Sequence, residues 1–207
     1  MGRPRQVTPH LDGEDATAAT PLEDEDLDGL IPTHVATRGD LNIVEQANIE
    51  NATRWAFRAR AVVQLDDLLT VSFSTAVHRR MFGDVWRWAG KQRLRETNIG
   101  VDPILIPTET RVLLDDVQYW HEHETYEAIE CAVRLHHRLV SVHPFRNGNG
   151  RHARFMADLY LHSIGLPRLN WGGSHLTTDD DARHAYLDAL RAADAGELHA
   201  LIGFASS

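Results

Sequence analysis

The stretch Arg151–Ile164, RHARFMADLYLHSI, constrains the fold of this 207-residue chain more than any other. It holds no glycine or proline and is rich in helix formers, so it predicts a helix. Phe155, Met156, Ala157, Leu159, Tyr160, Leu161 and Ile164 leave it almost no polar side. A helix apolar nearly all round belongs at the centre of a bundle, with neighbours on several faces. Its first turn is the exception. Arg151 and Arg154 stand three apart there, on one face.

Cations at a helix N-terminus are disfavoured by about 0.3–1 kcal/mol each, because the backbone dipole prefers anions. Two arginines in that turn make sense when an anion sits between them. The residues before them provide the rest of an anion site. His143 to Arg154 read HPFRNGNGRHAR, with Gly148 and Gly150 flanking Asn149. Glycines let backbone N–H groups converge on an anion, and the opening helix adds its own unpaired N–H groups. His143 is placed beside this grip, and histidine is the usual side chain for taking a hydroxyl proton at neutral pH when its pKa is near the ordinary value. Residue by residue, the segment is equipped to hold a polyphosphate while one imidazole moves a proton.

The rest of the chain reads as helical, and the fold class is mainly all-α. Helices are predicted over 41–62, 67–82, 109–121, 125–141, 150–164 and 179–194, with a short one near 196–203. In 125–141, Ile129, Ala132, Val133, His136 and Val140 form one stripe, making His136 a core histidine and delivering His143 just past the helix end. Ala89–Pro107, with Gly90, Gly100, Pro103 and Pro107, reads instead as loop with a small hairpin. Trp86 and Trp88 just before it read as packing. The first 40 residues carry nine carboxylates and three arginines, a large share of the net charge of −9. Residues 1–35 therefore read as an acidic tail and 36–207 as one domain.

Several function classes are disfavoured. An acidic chain is a poor nonspecific nucleic-acid binder. No apolar run approaches the length of about 18 residues that spans a membrane, and no apolar secretory segment opens the chain. The single cysteine, Cys131, reads as core and suits a reducing, cytoplasmic setting. The thirteen histidines do not fall into a zinc-binding spacing.

HPFRNGNGRHAR resembles the signature of the Fic family, HxFx(D/E/N)GNGRxxR. The resemblance implies the Fic fold: a helical bundle around the motif helix, with a small β-hairpin flap. It implies transfer of AMP from ATP to a Ser, Thr or Tyr hydroxyl of a target protein, with magnesium on the phosphates. His143 would be the general base and Phe145 a buried anchor. Asn147 would occupy the metal position, where many members carry a carboxylate, a better ligand for a hard cation. Gly148, Asn149 and Gly150 would form the anion hole, and Arg151 and Arg154 would hold the β- and γ-phosphates. The flap would clamp the target as an added strand. Ile99, Ile104, Leu105 and Ile106 are the candidates for that contact, with a core-plugging role equally open for each.

Many members are restrained by a helix with the pattern (S/T)xxxE(G/N). Gln46–Asn51, QANIEN, matches its end, so the resemblance casts Glu50 as an inhibitory residue paired with Arg154 in a helix at about 41–62. GLIPTHVATRGDLNIVEQANIENA, MFGDVWRWAG and NIGVD extend the likeness towards the group called mobile mystery protein B. That group is bacterial and usually paired with a helix-turn-helix partner, and self-association is common in the family. Transfer of another phosphate-containing group, or nucleotide sensing without catalysis, are the alternatives.

Overall fold

The computed structural model describes residues 28–58, 63–173 and 180–207. Most of the acidic tail and residues 59–62 of the predicted first helix lie outside these. The predicted tail ends earlier than residue 35, however. Gly29 and Ile31 already exchange backbone bonds with Arg87 and Val85, at 2.8 and 2.9 Å.

The first helix, α1 (Arg38–Ala56), starts three residues before its predicted start. Thr37 and Asp40 close a capping box there: Thr37 Oγ1 accepts from the Asp40 N–H at 3.1 Å, and the Asp40 carboxylate accepts from the Thr37 N–H at 3.0 Å. The helix predicted over 67–82 is two, α2 (Leu65–Leu68) and α3 (Val71–Phe82). Thr70 divides them, its hydroxyl capping the Phe73 N–H at 3.1 Å. Then follow α4 (Ile106–Glu122), α5 (Ala128–Val142), α6 (Asn149–Ser163), α7 (Asp180–Asp194) and α8 (His199–Ser206).

The motif helix α6 is central as predicted. Ala153, Met156, Ala157, Leu159, Tyr160 and Leu161 are all buried, and α6 packs mainly on α5 with α2 and α3 on other sides. Helix α1 lies across α3, α4 packs on α5, and α7 pairs with α8. Cys131 is in the core, and burial pushes its thiol pKa up. His136 is fully buried, as its place in the stripe predicted.

The predicted hairpin is not formed among the described residues. Ala89–Asp102 is turn and loop with one isolated antiparallel bridge, Gln92 to Phe145. A short 3-10 turn, Pro103–Leu105, leads into α4. Pro107 therefore opens a helix rather than closing a loop, since proline suits the first helical turn. Among the described residues no helix is long and apolar enough to cross a membrane.

Candidate nucleotide-binding site

The site forms where α5 ends and α6 begins. His143 is the C-cap of α5 in the left-handed conformation, φ 52°, ψ 60°. That conformation costs a β-carbon-bearing residue about 1–2 kcal/mol, so surrounding bonds have to hold it. Its N–H donates to Leu139 O at 3.1 Å, and its carbonyl accepts from Arg93 Nε at 2.7 Å. The imidazole Nδ1–H donates to Val140 O at 3.3 Å, which places the ring lone pair on Nε2. Burial pushes the His143 pKa down from 6.5 to about 4, with the Arg93 charge adding to the effect and the Val140 bond opposing it. The expectation of a base near its ordinary pKa is thus corrected. The ring is neutral at pH 7 but weakly basic.

Arg93 is the main support that the sequence did not reveal. Its buried guanidinium meets backbone carbonyls rather than a carboxylate: His143, Arg95 at 2.8 Å, Val101, and Val142 at 3.5 Å. The Arg93 N–H also donates to Pro144 O at 3.0 Å, and Val101 N–H to Val142 O at 3.4 Å. Gly100 passes so close that a β-carbon there would lie 2.5 Å from Arg93 Nη2 and 2.7 Å from His143 Cβ. One side chain therefore ties both ends of the 95–101 loop to the backbone of the candidate base.

The following loop is similarly clamped. Phe145 is buried and stacks on His78, ring centres 3.7 Å apart. His78 Nε2–H donates to Asn147 O at 3.0 Å while its Nδ1 accepts from the Gly90 N–H at 2.9 Å. Gly148 has φ 77°, and a β-carbon on it would meet the Phe82 ring at 2.6 Å, so only glycine fits. Asn149 closes the loop onto Phe145 through both ends of its amide, Oδ1 at 2.9 Å and Nδ2 at 2.8 Å. Its side chain is therefore a brace, and Asn149 and Gly150 face the site with the backbone of the first helical turn.

Asn147 Oδ1 accepts from the Gly148 N–H at 2.6 Å. Among the described residues no cluster of three His, Cys, Asp or Glu side chains could hold a metal. The chain thus fits a magnesium ion only as one neutral ligand, the Asn147 amide oxygen, the remainder coming from phosphates and water.

The two arginines are approached from different helices. Arg151 Nη1 pairs with Glu45 Oε2 of α1 at 2.6 Å, and Glu45 Oε1 accepts from Trp86 Nε1 at 2.6 Å. Arg151 also lies over the Phe82 ring, at 4.8 Å. Arg154 lies against Tyr186 of α7, its Cζ 5.3 Å from the ring centre, and among the described residues no carboxylate is within ion-pair distance. The predicted Glu50–Arg154 pair is not formed. Glu50 is exposed, and its carboxylate accepts from Gln46 Nε2 at 3.3 Å. Glu45 belongs to the buried stripe Leu41, Glu45, Asn48, Ala52 and Ala56, whereas Glu50 falls outside it.

Of the flap candidates, Ile99, Ile104 and Leu105 are exposed, Ile104 at 80%. Ile106 is fully buried in the first turn of α4 and is a core residue, which corrects its assignment to the flap. Leu94, exposed at 84% and missed in the sequence, joins Glu96, Asp102, Pro103 and Ile104 around an open depression. Trp86 and Trp88 are buried and stacked on each other, ring centres 4.9 Å apart, as packing residues.

The comparisons with known proteins fall on the same elements. Residues 68–161 match the Fic/DOC family model. The chain is 26% identical over 147 residues to "Protein adenylyltransferase Fic" of Aedes aegypti, covering 69% of this chain and 28% of that protein. It is 29% identical over 146 residues to "Protein adenylyltransferase fic-1" of Caenorhabditis elegans, covering 69% and 26%. A shorter match, 46% over 56 residues, covers 23% of this chain and 10% of "Uridine 5'-monophosphate transferase" of Xanthomonas campestris. The chain thus spans only about a quarter of the length of the adenylyltransferases it matches.

Among solved structures, the N-terminal Fic domain of a Bartonella effector protein from Bartonella sp. AR 15-3 superposes with TM-score 0.65 at 16% identity, covering 91% of this chain and 93% of that one. BepC of Bartonella tribocorum, solved with bound AMPPNP, superposes with TM-score 0.62 at 15% identity, covering 83% and 87%. With its motif loop, central helix and family match in agreement, residues 68–161 of the chain form a Fic/DOC family domain.

Proposed function

We propose that the chain is a nucleotidyltransferase that moves AMP from ATP to a hydroxyl of a target protein. The observation that carries the reading is the placement of a neutral, oriented imidazole at the end of α5, one short loop from a helix N-terminus bearing two arginines. The target hydroxyl loses its proton to His143 Nε2 as its oxygen bonds to the α-phosphorus. The bond from that phosphorus to the bridging oxygen breaks, and pyrophosphate leaves with the electron pair. The Gly148–Gly150 backbone and the arginines neutralise charge on the phosphates, which is the main requirement of such transfers. Magnesium, when bound with the nucleotide, adds further neutralisation, with Asn147 as its one protein ligand. The weak basicity of His143 and the neutral amide at position 147 both favour a slow enzyme.

The reading includes restraint by α1, carried by Glu45 rather than Glu50. A carboxylate on Arg151 competes with phosphate oxygens for the same guanidinium. Exposed Leu94, Ile99, Ile104 and Leu105 are the surface offered to the target. Intact-mass measurement of a lysate protein, or of the chain itself, after incubation with ATP and magnesium tests the reading. A gain of one AMP supports it, and a gain of one phosphate replaces it by kinase chemistry. The likeness to a uridine 5'-monophosphate transferase favours one second reading, UTP as donor. Running the same assay with UTP separates the two. ATP binding without transfer, persisting after Glu45→Gln, would leave nucleotide sensing as the function.

A further inference from the structure

The group touching the second motif arginine lies outside the family-matched segment, on α7. Tyr186 is buried, and its hydroxyl is 2.9 Å from Nε2 of the fully buried His136 on α5. The ring packs beside Phe204 of α8, centres 5.5 Å apart, while His136 packs against Trp171 at 4.6 Å. Tyr186 is thereby fixed from α5 and α8, with Trp171 packed on His136. Its hydroxyl is aimed at the start of α6: a β-carbon on Gly150 would lie 3.6 Å from Tyr186 Oη and 3.9 Å from Arg154 Nη1.

The direction of the bonds follows from chemistry. A guanidinium only donates, so towards Arg154, whose Cζ lies 5.3 Å from the Tyr186 ring centre, the phenol oxygen can act only as an acceptor, and burial otherwise disfavours the arginine's charge. The tyrosine's own proton then goes to His136 Nε2. His136 carries its proton on Nδ1, which has no partner among the described residues. A buried polar atom left unbonded is costly, so packing alone would favour an apolar side chain at 136. The histidine is explained if its other nitrogen is needed to orient the hydroxyl. Donation from Tyr186 to His136 also makes the phenol oxygen a better acceptor for Arg154.

We propose that Tyr186, held by His136, is a positioning residue that aims the Arg154 guanidinium at the terminal phosphates of the nucleotide. This rests on the nucleotidyl-transfer reading above. An uncharged hydroxyl suits the task, because it orients the guanidinium without competing with phosphate for its charge. Arg154 serves the phosphates beyond the first, so the signature is selective by phosphate number.

The test is calorimetric binding of ATP and of AMP to the full chain and to Tyr186→Phe, which keeps the ring and removes the hydroxyl. ATP affinity falls about tenfold, while AMP affinity stays within about twofold. Equal loss for both nucleotides, or no loss for ATP, overturns the proposal. Should Tyr186→Phe fail to fold, His136→Leu and His136→Gln decide instead. Glutamine can still accept from the hydroxyl, so it retains ATP affinity where leucine loses it; equal ATP affinity in the two overturns the proposal. A wild-type chain that binds neither nucleotide overturns the nucleotidyl-transfer reading itself, a result distinct from either of these.

Discussion

Arg151 and Arg154 sit on one turn of one helix with the same charge, yet the protein treats them in opposite ways. From the α1 side, Arg151 receives a carboxylate that is itself buried and bonded to Trp86. From the α7 side, Arg154 receives an aromatic ring and a neutral hydroxyl. A carboxylate occupies the charge an incoming phosphate needs, while a hydroxyl leaves that charge in place and fixes only direction. On the proposed reading, the α1 flank competes with a phosphate ligand and the α7 flank prepares for one.

The strongest test of this asymmetry removes the base between the flanks. His143→Ala is expected to lower transfer by about 10²–10⁴-fold, read as incorporation of labelled AMP, with ATP affinity within about twofold of wild type. A parallel loss of ATP binding would show that His143 supports the loop rather than the chemistry. Next in size is the α1 flank. Glu45→Gln keeps an acceptor for Trp86 Nε1 but removes the charge on Arg151, and is expected to raise ATP affinity and transfer by about tenfold or more. If Glu50→Gln activates instead, the comparison is broken and the brake belongs to the exposed carboxylate.

Acid separates the flanks by a smaller effect. Burial holds His78 and His136 well below their ordinary pKa, and His143 and His152 at about 4. The unfolded chain therefore binds more protons than the native one below about pH 6.5, and stability falls as pH drops from there through about 4. Asp158, raised to about 6 by burial, opposes this, since its neutral form suits the fold. Four histidines outweigh one carboxylate. The thermal midpoint should fall from pH 7 to pH 5, with His143 and His152 each contributing on the order of 1–2 kcal/mol, His78 and His136 acting in the same direction, and Asp158 opposing. His136→Gln should flatten the slope in part, because it removes the share of the buried imidazole that meets Tyr186. The smallest expected effect is that of Glu50→Gln on stability, within about 0.5 kcal/mol as for other exposed sites.

The features legible in the sequence are those written in consecutive residues. The apolar circumference of α6 announced its central place, and HPFRNGNGRHAR announced a phosphate grip because the loop and helix start are contiguous. Glu45 was overlooked although a signal existed. It falls in step with Leu41, Asn48, Ala52 and Ala56, and an acid within a buried stripe demands a cation. The linear pattern QANIEN points instead to Glu50. Arg93 and Tyr186 have no comparable local mark, since Arg93 meets only backbone carbonyls, that of His143 50 residues away, and Tyr186 meets His136, 50 residues away and outside the motif. The flap hairpin was misjudged because Pro107 was read as the end of a loop, while helix propensity downstream turned it into a helix start.

Arg93 has a consequence for how this scaffold can diversify. Its bonds go to main-chain carbonyls, which every sequence has, so the loop from 95 to 101 is held to His143 independently of the side chains it displays. Leu94, Ile99 and Ile104 can change without moving the base relative to the loop. If a target lies along that loop, the identity of the recognised protein and the position of its reacting oxygen are specified by separate residues. New recognition can then evolve by exchange of surface residues while the reaction geometry is inherited intact.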